Sequence, residues 1–137
     1  MKYLIFEKMK FSLKAKSESK IELIGVTPKS FFGMAIPIAL KLEWEVGKIT
    51  ENELVFLTPF FFPTGGEMVT IIIEGNYAKI VSKNMGGFIP FELGKNTDNV
   101  RSFVEEYADM LDVTKVDEYE QRFDGALKMW DENAKQG

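Results

Sequence analysis

Val100, Phe103, Val104, Tyr107, Ala108 and Leu111 recur at intervals that place them on one side of a helix. An apolar stripe over 97–111 has to be buried against something. Upstream of it lie runs that read as strands, so the helix and a sheet are each other's natural cover. Lys8 to Lys16 alternates strictly, with Met9, Phe11, Leu13 and Ala15 on one face and Lys8, Lys10, Ser12, Lys14 and Lys16 on the other. Period two over nine residues predicts a half-buried strand with a basic, wet face. Ser17, Glu18 and Ser19 read as a turn, and Ile21 to Val26 as a second strand.

Thr27 followed by Pro28 is a helix-start signal. Phe31, Phe32, Ala35, Ile36, Ala39 and Leu40 follow at helical spacing, but Pro37 argues against a regular helix, so a short or kinked helix is expected over 28–40. Leu40, Leu42, Trp44 and Val46 alternate with charged residues and read as a strand that follows directly. Further strands are expected at Glu53–Thr58, Met68–Ile73, Tyr77–Lys83 and Phe88–Leu93, the last interrupted by Pro90. Glu74, Gly75 and Asn76 join the clearest hairpin. Asn96 or Thr97 is the expected cap of the stripe helix. Val116, Tyr119, Phe123, Leu127, Trp130 and Ala134 mark a second helix over 115–134.

The order, strands and then helices, predicts an α+β fold: a curved antiparallel sheet packed by C-terminal amphipathic helices. The 137 residues form one expected domain, with 112–137 a possible helical extension that completes the layer or pairs with a second copy. A chain of this length buries enough surface to fold without a metal or disulfide. It contains neither cysteine nor histidine. That excludes disulfides, zinc sites of the Cys/His kind and nucleophilic catalysis through an imidazole. No cofactor or metal is expected.

Charge is unevenly spread. The net charge of −4 divides into +4 over 1–29, −2 over 30–97 and −6 over 98–137. A nucleic-acid partner is disfavoured, because the chain lacks the basic surplus that phosphates require. No apolar run is long enough for a signal peptide or a membrane span, so a cytoplasmic location is the expectation.

Leu42-Glu43-Trp44 entering a strand, Gly66-Glu67 before an apolar strand, and Gly94-Lys95-Asn96-Thr97-Asp98-Asn99-Val100 opening a closing helix carry a resemblance. Over Ala39 to Tyr107 the chain resembles a group of small uncharacterised bacterial α+β domains. The resemblance implies a helix-on-sheet architecture and no particular activity. The long basic first strand, Pro37 and the second C-terminal helix depart from that pattern. By element count alone the chain is also similar to the pleckstrin-homology fold, an alternative arrangement of about seven strands and a helix. Neither likeness transfers function.

Three features bear on function. Phe60, Phe61 and Phe62, bracketed by Pro59 and Pro63, either seal the core or form an aromatic surface for a partner or apolar ligand. Gly94-Lys95-Asn96-Thr97 lacks the upstream glycine of a phosphate loop, since position 89 is Ile89. It remains either a plain turn and cap or an anion site formed by Lys95, Asn96 and Thr97 at a helix start. Lys8, Lys10, Lys14 and Lys16 form either a solvated face that guards a sheet edge, a surface for anionic membranes, or a surface for the chain's own acidic helices. Glu43 and Glu45 are expected on the polar face of one strand and offer no shielded acid–base pair. The leading expectation is a non-catalytic binding module using an apolar surface or pocket around Phe60–Phe62. A carrier or enzyme for a small anion at Gly94–Thr97 comes second and a peripheral membrane domain third. A homodimer is favoured by the charge asymmetry.

Overall fold

The computed structural model describes residues 16–59, 65–85 and 94–136. Five strands, β1 (Lys16–Glu22), β2 (Glu45–Ile49), β3 (Glu53–Leu57), β4 (Glu67–Glu74) and β5 (Tyr77–Asn84), form one antiparallel sheet in the order β1-β5-β4-β3-β2. Three helices, α1 (Pro28–Lys41), α2 (Lys95–Met110) and α3 (Val116–Gln136), accompany it, with a 3-10 turn at Val113–Lys115. The fold is α+β, as the order of elements predicts. The sheet is open and carries three helices among the described residues, so the pleckstrin-homology-like arrangement does not describe it.

Alternation divides the sheet into two faces. Ile21, Leu54, Phe56, Val69, Ile71, Ala78 and Ile80 are buried on the face that the helices cover. Val100, Phe103, Val104 and Tyr107 of the predicted stripe meet them from α2. Aromatic rings tie the layers together. Trp44 stacks on Phe103 with ring centroids 6.2 Å apart, and Phe31 lies 4.9 Å from Tyr107.

Local expectations shift in four places. Ser17, Glu18 and Ser19 are not a turn but the middle of β1, paired with Ser82, Val81 and Ile80. Long-range pairing with β5 overrides the local turn signal there, and the strand ends at Glu22 rather than Val26. The helix from Pro28 runs through Pro37 to Lys41, and the strand expected from Leu40 begins only at Glu45. Leu42 still donates to the Ile38 carbonyl, and Glu43 then takes a left-handed φ of 65° that turns the chain. Glu43 is therefore a turn residue and shares no strand face with Glu45. Neither Asn96 nor Thr97 caps α2, because Gly94 occupies the cap position at φ 91°. The strand expected at Phe88–Leu93 lies outside the described residues, as does most of that expected at Lys8–Lys16.

α1 is the element that local reading undervalues. Thr27 Oγ1 accepts from the Ser30 amide at 3.1 Å, and Ser30 Oγ accepts from the Thr27 amide at 2.8 Å, a closed capping box. Phe31, Phe32, Met34, Ala35, Ile38 and Ala39 are fully buried. Burial of that order, about 1.5–3 kcal/mol per large side chain, outweighs the hydrogen bond that Pro37 removes. α3 packs against α1 within the same chain, joined by a 3.1 Å ion pair from Lys29 to Asp124 and a 2.6 Å hydrogen bond from Thr27 Oγ1 to Glu120.

Candidate functional site

The outer face of the sheet is the side that the described helices leave uncovered. Val55, Leu57, Met68, Ile72 and Val81 project there, each half-buried and none packed on the core. Register places Leu57 opposite Met68, Val55 opposite Thr70, and Thr70 opposite Val81. The five side chains are thus contiguous around Thr70. Charges frame them, with Glu45, Lys48 and Glu53 on one flank and Lys16, Glu18, Lys20, Lys79 and Lys83 on the other. Lys48 pairs with Glu53 at 2.8 Å, and Lys79 approaches Glu18 at 3.9 Å and Glu74 at 3.7 Å. The five side chains form an apolar centre inside a charged rim.

Beneath α2 lies a second group that sequence reasoning missed. Glu67 begins β4 on the inner face and is fully buried. Its Oε1 accepts from Thr58 Oγ1 at 2.9 Å and from Asn99 Nδ2 at 2.9 Å, while its amide donates to Thr58 Oγ1 at 2.8 Å. Asn99 Nδ2 also reaches Ser82 Oγ at 3.1 Å. Ser82 Oγ donates to Asn96 Oδ1 at 2.8 Å, and Asn96 Nδ2 donates to Asn84 Oδ1 at 2.8 Å. A chain of polar bonds therefore fastens the first turn of α2 to β3, β4 and β5. Desolvated groups are tolerated here because each has a partner. The signal was present as parity, since Glu67 shares its strand face with Val69 and Ile71, and Asn99 adjoins the apolar stripe.

The sequence-predicted residues fall as follows. Phe60, Phe61 and Phe62 lie outside the described residues, as do Lys8, Lys10 and Lys14. Lys16 is exposed on the outer face, opposite Lys83. Lys95 and Thr97 are half-buried in the first turn of α2. Asn96 is fully buried, and its side chain is bonded to Ser82 and Asn84 rather than turned towards an anion.

The shifted titrations lie away from both groups. Burial pushes the Tyr107 hydroxyl up to about 12. A hydrogen bond that Lys41 donates to Glu106, together with the charge of that carboxylate, raises Lys41, and hydrogen bonds from Thr114 lower Asp112. Among the described residues no group of three or more acidic side chains is placed to hold a metal ion, and no helix is long and apolar enough to cross a membrane. Comparison with models of known protein families and with curated proteins finds no match for this chain.

Proposed function

We propose that the chain is a non-catalytic binding module that meets a protein partner through the outer face of its sheet. The contiguous apolar patch of Val55, Leu57, Met68, Ile72 and Val81, unpacked on its own core and framed by charge, carries this reading. The buried polar group has a positional part in the reading. It holds α2 on the inner face and leaves the outer face for binding.

The test is a paired capture of partners from the native source with the wild-type chain and a Val55→Asp/Val81→Asp variant. A control, Lys128→Glu, changes an exposed site on α3. The reading requires a stoichiometric protein partner that the control retains and the outer-face variant loses while its circular dichroism is unchanged. Equal capture by all three overturns it. Millimolar phosphate or nucleotide that raises the melting temperature moves the function to the start of α2 instead.

A further inference from the structure

β1 is an edge strand: it pairs with β5 on one side, and no strand among the described residues pairs with it on the other. The phase of its hydrogen bonds follows from the hairpin. Glu74 and Tyr77 close the two-residue Gly75-Asn76 loop, so Tyr77 directs its backbone polar groups towards β4 and Ala78 directs its own towards β1. Ile21, opposite Ala78, therefore bonds to β5, and Leu23 continues the pattern by donating to the Asn76 carbonyl at 2.8 Å. The odd-numbered residues of β1 are bonded to β5. The even-numbered ones, Lys16, Glu18, Lys20 and Glu22, turn their amides and carbonyls to the edge that no described strand occupies.

Those four residues alternate in sign, and their side chains lie on the outer face. We propose that β1 pairs antiparallel with β1 of a second copy, about a two-fold axis at Ser19, to make one continuous sheet. This register sets Lys16 opposite Glu22 of the partner subunit and Glu18 opposite Lys20 of the partner subunit. Even-numbered residues face even-numbered ones, as the open hydrogen-bonding groups require. Sliding by two residues in either direction puts Glu18 against its own copy or Lys20 against its own copy. Charge thus selects one register and rejects its neighbours.

Two further observations fit the same axis. Ser19 is 5% exposed, and its Oγ has no hydrogen-bond partner among the described residues. On the axis, Ser19 and its copy form a non-hydrogen-bonded pair, the closest cross-strand spacing, where one hydroxyl donates to the other. Ser17, whose Oγ is also unpartnered, faces Ile21 of the partner subunit in this register and gains nothing. On the outer face, Lys16 stands opposite Lys83 and Lys20 opposite Lys79, both like-charged pairs. Pairing places Glu22 of the partner subunit beside the first and Glu18 of the partner subunit beside the second.

The full chain, which has no cysteine of its own, tests this by sedimentation equilibrium and oxidative cross-linking. The wild type is expected to sediment as a dimer. Glu18→Lys and Lys20→Glu, each creating like-charged pairs across the axis, weaken it at least about tenfold. Mixing those two variants restores dimers, because each supplies the sign the other lacks, and the double variant dimerises alone. Ser19→Cys forms a covalent dimer on mild oxidation and Ser17→Cys does not, since only position 19 meets its own copy within disulfide reach. A monomeric wild type, a dimer indifferent to both charge reversals, or equal cross-linking at 17 and 19 overturns the proposal. Circular dichroism confirms that each variant is folded.

Discussion

Gly33 of α1 lies against the backbone of Tyr119 in α3: a methyl group at position 33 would collide with the Tyr119 carbonyl oxygen. The two helices meet there at a distance only glycine permits, and the rings of Phe32 and Phe123 pack tilted nearby with centroids 5.4 Å apart. Gly33→Ala gains helix propensity of about 1 kcal/mol in isolation. Here it is expected to destabilise the protein by roughly 3 kcal/mol, because backbone cannot yield as a flexible side chain can. Urea denaturation of the variant decides the sign, and a stabilised Gly33→Ala refutes the close crossing.

Asn99 joins Glu67 to Ser82 across the layer between helix and sheet. Asn99→Leu leaves both without that donor in a buried setting and is expected to cost about 2–4 kcal/mol. Replacing Glu67 by Leu removes the carboxylate that accepts from both Thr58 Oγ1 and Asn99 Nδ2 and should be comparably costly. If the group acts only in positioning α2, hydrogen exchange in the first turn of α2 rises in both variants. Unchanged exchange there would assign the cluster another role.

Tyr107 gives the fold an alkaline limit. Its hydroxyl is held up at about 12 in the folded chain against an ordinary 10.0, because burial disfavours the phenolate. The unfolded chain releases this proton first, so the contribution to stability is intact below pH 10. It declines as pH rises towards about 12, by up to roughly 2–3 kcal/mol. Tyr107→Phe removes that decline and is expected to shift the alkaline unfolding midpoint upwards, with little change at pH 7. An unshifted midpoint would mean that other groups set the limit.

Thr27 serves two elements at once, capping α1 and donating to Glu120 of α3. Thr27→Ala is expected to lose about 1–2 kcal/mol, and Thr27→Ser to retain most of it. Equal losses from both variants would show that the methyl group, not the hydroxyl, matters.

The amphipathic stripe of α2 was legible because Val100, Phe103, Val104 and Tyr107 carry both the period and the apolar character of a buried face. The β4–β5 hairpin was legible for a similar reason, through alternation and a short Gly-Asn loop. β1 was not, because Ser17-Glu18-Ser19 has the composition of a turn and its strand character comes from β5, sixty residues away. Pro37 hid the regularity of α1 rather than its extent, because the stability of that helix resides in tertiary burial. The outer face could be anticipated only as the complement of the inner one. Val55, Met68 and Val81 look like any strand residues until the described helices are seen to lie on the other side. The buried Glu67–Asn99 contact depends on a pairing of distant positions that no local pattern announces.

Native mass spectrometry of the freshly purified full chain tests the central claim, that this is a surface-binding module rather than a carrier or enzyme for a small ligand. The account predicts a dimer of twice 15.6 kDa, with nothing else attached. An excess mass that disappears on denaturation would reveal a co-purified small molecule and contradict it.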